Sequence, residues 1–311
     1  MYDGFVVKDY MRNSLIYNGT YSKFGIDVNG QKYIVKLEKR QGQSSCISEC
    51  LVSRLMNRLG IPAHQTWLGY YNSYLVVILK DFTDGVNELK TFGETVQSSE
   101  NTDLSSKSYT YKDVVYMISQ HAKLKPENKN LAIVQFWNMF FCDALFGNGD
   151  RLRNNWGYII SLNGWSMVPI FDNGGSLFSE VHKVIDTFSL SNKEFLIERC
   201  EMFPASVFCV KDSDRVRRSN FYEEIGNIQT GIEHELLVSF KQKLINFEET
   251  IFEELNCISR FLPAKYYDFY FAIILMRMYH IIFRYDFDES YEKTISAINR
   301  YTSAYNSTSL F

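Results

Sequence analysis

Along the first eighty-odd residues, apolar and polar positions alternate in short runs that predict strands, interrupted by one stretch of helical periodicity. Tyr33-Ile34-Val35-Lys36-Leu37 reads as a strand, and Val28-Asn29-Gly30-Gln31 before it as a hairpin turn with Asn-Gly at its centre. Ile47, Leu51, Val52, Leu55, Met56 and Leu59 then line one side of a helix that Ser44 or Ser45 can cap. Gly60 and Pro62 end it. Strands follow near residues 65–70 and 73–79, and Lys80-Asp81-Phe82-Thr83-Asp84-Gly85 breaks the pattern as a hinge. Tyr17 to Gly25 is rich in turn residues.

Beyond the hinge the periodicity is mainly helical. Residues 97–108 are polar and serine-rich and read as an exposed loop. Residues 131–146 form a long apolar helix whose Trp137, Phe140 and Phe141 are core, and Gly147-Asn148-Gly149 ends it. Residues 156–160 and 165–170 fit a short hairpin around Asn163-Gly164. From Phe195 onwards the pattern is one of several amphipathic helices, and no internal repeat is present. The expectation is an α+β, two-lobed fold: a small antiparallel-sheet N-lobe with one helix (1–82) and a larger, mainly helical C-lobe (83–311).

A chain of 311 residues that is 46% apolar and 16% aromatic is globular. Its net charge of −3 supplies no basic excess for phosphate neutralisation, so direct nucleic-acid binding is not expected. The apolar run from Phe269 to Met276 is too short to span a bilayer and reads as a buried helix, so no transmembrane segment is expected. Met1-Tyr2-Asp3-Gly4-Phe5 lacks the features of a signal peptide, which points to a cytoplasmic protein, or to an exported effector that uses no classical signal. None of the six cysteines forms a Cys-x-x-Cys pair. Cys46 and Cys50, four apart on the helix, read as small core residues rather than metal ligands, and the five histidines show no metal spacing.

The chemistry lies in three places. Asp150-Arg151-Leu152-Arg153-Asn154-Asn155 sets an aspartate five residues before an asparagine, and Phe171-Asp172-Asn173-Gly174 adds a second aspartate some twenty residues on. This is the arrangement of a phosphoryl-transfer centre, with one base and two metal ligands. Asp150 would orient the acceptor hydroxyl, while Asn155 and Asp172 offer the hard oxygens that suit Mg2+. Upstream, Lys36 sits in a strand where it would contact the phosphates of ATP, and Glu49 on the following helix would pair with it. The segment from Gly19 to Gly25, with Ser22, would cover the phosphates through its backbone N–H groups. Arg151 and Arg153 would either guide a phosphate or acidic substrate or form solvated flanks.

These residues resemble the HipA-like serine/threonine kinase family, in particular its short, CtkA-type members. Val168-Pro169-Ile170-Phe171-Asp172-Asn173-Gly174-Gly175 matches the family's pattern of a proline, two apolar residues, then Asp-Asn-Gly. The resemblance implies a fold related to protein and phosphoinositide kinases, ATP and Mg2+ as cofactors, and Asp150 as the catalytic aspartate. It implies adenine held by the backbone from Lys80 to Phe82, ribose by Asp81 or Asp84, and autophosphorylation at Ser22. It also implies an unidentified protein substrate and an antitoxin or host-protein partner. Gly149-Asp150-Arg151 is similar to the Gly-Asp-Arg-His run of phosphoinositide kinases, with Leu152 in place of the histidine. A lipid or small-molecule kinase, or a toxin-like nucleotide-binding module without turnover, are the alternative readings.

Overall fold

The structure, a computed structural model, describes residues 1–17, 22–38, 43–99, 109–179, 182–212 and 215–308. Its first sheet has the order β1-β4-β5-β3-β2, from β1 (Phe5–Val7), β2 (Lys23–Val28), β3 (Gln31–Leu37), β4 (Thr66–Tyr71) and β5 (Tyr74–Lys80). The β2–β3 hairpin turns at Asn29 and Gly30, both at positive φ (51° and 76°), as the Asn-Gly pair predicts. β2 begins at Lys23, so Gly25 lies inside a strand and not in the expected turn segment. Gly19 lies outside the described residues. The sheet is antiparallel except at its edge, where β1 runs parallel to β4. The chain between those two strands contains β2, β3 and a helix, long enough for a parallel crossover.

That helix, α1 (Ser45–Arg58), packs on the sheet face carrying Leu68, Val77 and Leu79. The opposite face holds a second core of Ile26, Tyr33, Val35, Val76 and Ile78, closed by Met1, Phe5, Val7 and Met11 of the N-terminal segment. Strand alternation thus makes both faces of the sheet apolar. Neither expected serine caps α1 with its side chain. The Glu38 carboxylate does so instead, accepting from the Cys46 N–H (2.6 Å) and the Ser45 hydroxyl (2.5 Å).

Past the hinge come β6 (Glu88–Thr91), α2 (Phe92–Ser99), α3 (Tyr111–Gln120), α4 (Pro126–Phe146), β7 (Gly157–Ser161) and β8 (Gly164–Met167). β6 joins the expected β7–β8 hairpin as a third strand. Residues 97–99 belong to α2, which corrects the loop expected there; 100–108 lie outside the described residues. α4 starts with proline in its first turn and ends at Gly147 in the left-handed region (φ 65°). It is the axis of the core: Phe136, Trp137, Phe140 and Phe141 are all buried and in ring contact with one another.

The remainder comprises α5 (His182–Asp186), α6 (Lys193–Glu201), β9 (Ala205–Asp212), β10 (Arg215–Asn220), α7 (Phe221–Asn227), α8 (Gly231–Lys243), α9 (Phe247–Ile258), α10 (Ala264–Arg277), a π-helical turn (Met278–Phe283) and α11 (Phe287–Thr308). The β9–β10 hairpin corrects the all-helical expectation. Val207-Phe208-Cys209-Val210 carries the β-branched and aromatic residues that favour a pleated strand. Among the described residues no helix is long and apolar enough to cross a membrane, and residues 269–276 are buried within α10 as expected.

Arg277, at the end of α10, is wholly buried and has no carboxylate partner among the described residues. It donates to the Ala144 carbonyl (2.8 and 3.0 Å) at the open end of α4, and to those of Arg199 (2.9 Å) and Phe203 (3.0 Å). It therefore closes the helix that leads into the Asp150 loop. Burial pulls the guanidinium down to about 10, so it stays charged at neutral pH against the negative end of α4. Arg277→Met should lower stability by about 3 kcal/mol or more, because carbonyls are left without donors in a dry site. Urea denaturation would measure this, and a loss within error of zero would contradict the role.

Candidate active site

Strand β3 and helix α1 bring their two charged residues together. The Lys36 ammonium lies 3.0 Å from Glu49 Oε2 and 2.5 Å from Asp172 Oδ1. Glu49 is 1% exposed, so its charge requires partners, and the same Oε2 accepts the Gly174 N–H at 3.0 Å. Burial opposes the Lys36 charge, but Glu49 and then Asp172 outweigh it and lift the ammonium well above the usual lysine range. Burial likewise opposes the Asp172 charge, and Lys36, followed by Arg151, holds that carboxyl below its usual range. Asp172 sits at φ 60°, a left-handed conformation uncommon for a residue with a side chain.

Asp150 follows the end of α4. Asn148 Oδ1 accepts the Asp150 N–H (3.0 Å), and the Asp150 carbonyl accepts from the Leu152 N–H (2.7 Å) and from Asn155 Nδ2 (2.7 Å). That last bond fixes the Asn155 amide and leaves its Oδ1 as the end able to take a metal. Gly175 lets the two halves of the site meet: a Cβ there would fall 2.9 Å from the Cβ of Asp150.

Arg151 corrects one expectation. It is 1% exposed and its guanidinium is turned into the protein. It forms a two-pronged pair with Asp143 of α4 (3.0 and 2.9 Å) and donates to Asn173 Oδ1 (2.6 Å) and to the carbonyls of Asn155 (3.1 Å) and Phe171. One guanidinium thus ties the Asp150 loop to the Asp172 turn, and Asn173 passes the link on to Ser53 of α1 (2.9 Å). Asp143, Asn148, Asn173 and Ser53 were missed by the sequence reading. Arg153 is partly exposed.

At the hinge, the N–H groups of Lys80 and Asp81 are bound to the carbonyls of Gln65 and Lys32 (both 3.0 Å). The buried Asp81 carboxylate accepts from the Thr83 N–H (2.8 Å), the Thr83 hydroxyl (2.6 Å) and the Tyr17 hydroxyl (2.8 Å). Asp84 is exposed and accepts from Gln31 Nε2 (2.7 Å). Ser22 is exposed, and its carbonyl accepts the Leu37 N–H (3.0 Å). Phe82 packs on His64, their ring centroids 4.8 Å apart, and on Phe171 at 5.9 Å. Among the described residues no group of three acidic, histidine or cysteine side chains could hold a metal. Asn155 and Asp172 offer two hard oxygens, a number that suits an ion which keeps most of its waters.

A sheet-rich half whose lysine–glutamate pair reaches an Asp-x-Gly turn in a helical half defines a kinase-like fold. The HipA-like C-terminal domain family matches residues 15–195. The chain belongs to that family. The serine/threonine-protein kinase CtkA of Helicobacter pylori (strain J99 / ATCC 700824) is 31% identical over 211 residues, 65% of this chain and 63% of that protein's length. The chain therefore aligns in sequence with somewhat less than two thirds of this curated relative. The crystal structure of a Helicobacter pylori proinflammatory kinase CtkA superposes with a TM-score of 0.76 at 26% identity, covering 91% of this chain and 96% of that one. HipA, in a Shewanella oneidensis MR-1 complex of HipA, HipB and operator DNA, superposes at 0.55 and 13% identity, covering 92% and 68%. That second likeness is one of fold.

His64, behind the hinge, gives a pH signature. Burial, the largest influence, holds its imidazole down to about 4 from an ordinary 6.5. The folded state keeps it neutral where the unfolded chain takes up a proton, so its contribution to stability is intact above pH 6.5 and is lost as pH falls to about 4. The loss is on the order of 3 kcal/mol. Denaturation midpoints across this range should fall for wild type and stay flatter for His64→Phe; parallel curves would refute the assignment.

Proposed function

We propose that this chain is an ATP- and Mg2+-dependent serine/threonine protein kinase that transfers the γ-phosphate to a protein hydroxyl. The observation that carries the reading is the Lys36 ammonium held between Glu49 and Asp172, with Asp150 packed against the same Gly174-Gly175 turn. The name of the 31% identical relative supports the reaction class. Residues 1–82 act as the nucleotide lobe and 83–311 as the lobe that supplies catalytic and metal-binding loops.

Lys36, positioned by Glu49, holds the phosphates. Asn155 and Asp172 would hold magnesium, whose charge offsets that developing on the transferred group. Asp150 orients the acceptor hydroxyl and takes its proton. The backbone at Lys80 and Phe82 faces the base; with Asp81 buried and engaged by Thr83 and Tyr17, the exposed Asp84 is the ribose carboxylate. The six unpaired cysteines support action in a reducing, cytosol-like compartment.

Asp150→Ala should cut transfer from γ-labelled ATP by roughly 10² to 10⁴ while sparing ATP binding. Intact transfer in that variant would contradict the role of Asp150. Asp172→Ala should abolish transfer and also remove the Mg2+ dependence of ATP binding, read as the shift in melting temperature with and without the metal. A shift that keeps its full Mg2+ dependence would exclude Asp172 as a ligand.

A further inference from the structure

We propose that Met202 and Phe203 are the residues that select the acceptor, and that they take a large apolar side chain lying within two residues of the hydroxyl to be phosphorylated. The inference rests on the reading of Asp150 as the residue that orients that hydroxyl, and it names the class of acceptor.

Asp150 lies between two turns. On one side is the Gly174-Gly175 turn, where a Cβ on Gly175 would fall 2.9 Å from the Asp150 Cβ; this is the side of Asp172 and the proposed metal. On the other is Pro204, whose ring spans the backbone just before Asp150. A Cβ on Gly147 would meet the Pro204 Cδ at 3.2 Å, and one on Gly149 would meet its Cβ at 2.8 Å and the Ala205 carbonyl oxygen at 3.2 Å. In-line transfer puts the attacking and leaving oxygens on opposite sides of the phosphorus, so the acceptor comes from the face away from the nucleotide. The Met202–Pro204 turn is the flank of Asp150 left to it.

This turn is apolar, exposed and fixed. Met202 is 58% exposed and Phe203 43%, and Leu152, two residues past Asp150, is 48% exposed. Large apolar side chains left in water side by side mark a contact site, whereas single ones do not. The backbone beneath them is held. The Met202 N–H donates to the Glu198 carbonyl at the end of α6 (3.0 Å), and the Phe203 carbonyl accepts from Arg277 (3.0 Å). The Arg199 guanidinium lies 5.2 Å from the centre of the Phe203 ring. Arg277 also binds the Ala144 carbonyl of α4, so one buried side chain sets the turn against the helix that leads into the Asp150 loop. An apolar contact that is already ordered loses little freedom when a partner arrives.

The test uses the full chain with Mg2+ and γ-labelled ATP on a peptide library that holds one serine and varies its neighbours. Wild type should label pools with Leu, Ile, Met or Phe near the serine roughly tenfold more than pools with Asp or Gly there, the worth of one apolar side chain removed from water. Phe203→Ala should erase most of that preference by raising the peptide KM, with melting temperature and calorimetric ATP affinity held. Met202→Arg should shift the preference to Asp or Glu, a redirection that a damaged fold would not give. Equal labelling of all pools by wild type would overturn the proposal, as would an apolar preference that both variants keep. Wild type that labels casein or histone but no peptide pool would overturn it too, and leave the kinase reading in place. ATP binding without transfer to peptide, casein, histone or the chain itself would overturn the kinase reading, and this proposal with it.

Discussion

The rest of the site depends on one buried carboxylate. Glu49 lies within α1, out of reach of water, and a lone charge there would be expensive. It is stabilised only by having the Lys36 ammonium on one side and the Gly174 N–H on the other, both at 3.0 Å from a single oxygen. Those partners come from β3 and from the turn after Asp172, two elements more than 130 residues apart in sequence. The need to satisfy one charge thus brings strand, helix and the Asp172 turn to a common point. Loss of Glu49 would leave the Gly174 N–H without its acceptor, and loss of Lys36 would leave the buried Glu49 without its counter-charge.

The helix that carries Glu49 is itself held from the far side. Arg58 at its C-terminal end pairs with Glu253 and Glu254 of α9, and Lys243 of α8 donates to the Leu59 carbonyl at 3.1 Å. Arg54 reaches Asp3 at 2.6 Å, and Asp3 in turn accepts the Leu68 N–H. Helix α1 is therefore built into the C-terminal helices as firmly as into its own sheet. The Lys36–Glu49 ion pair is thereby part of the packed core.

Lys36, Glu49, Asp150, Asn155 and Asp172 stand out in the sequence because the proposed phosphoryl transfer demands particular residue types in a particular order, and the structure brings Lys36, Glu49 and Asp172 together. The strands and α1 were legible from local periodicity and from Asn29-Gly30. What stayed hidden was set by distant partners. Arg151 next to an aspartate looked like a surface flank, and only the approach of Asp143, Asn173 and the Phe171 carbonyl makes it the internal brace of the two loops. Asn173 looked like an ordinary turn residue until Ser53, 120 positions away, supplied its acceptor. The β9–β10 hairpin was obscured because its alternation is short and lies between helical segments, so the helical period dominated the wider window. Glu38 escaped notice as the cap of α1 because it lies seven residues before the helix, outside the range of local capping patterns.

The braces also explain why the Asp150 loop lies where it does. Gly147 leaves α4 in a left-handed turn, and the helix end behind it is closed by Arg277 from α10. The next residues are fixed in turn: Asn148 binds the Asp150 N–H, Asn155 binds its carbonyl, and Arg151 ties the loop to the Asp172 turn. Every backbone group named here is satisfied by a neighbour with a defined direction, which leaves the Asp150 carboxylate at the surface of an otherwise immobilised loop. An acceptor hydroxyl must be placed to within a fraction of an ångström for in-line transfer. Two buried arginines, Arg277 and Arg151, hold the loop that carries Asp150 from beneath, which is the placement the proposed transfer needs.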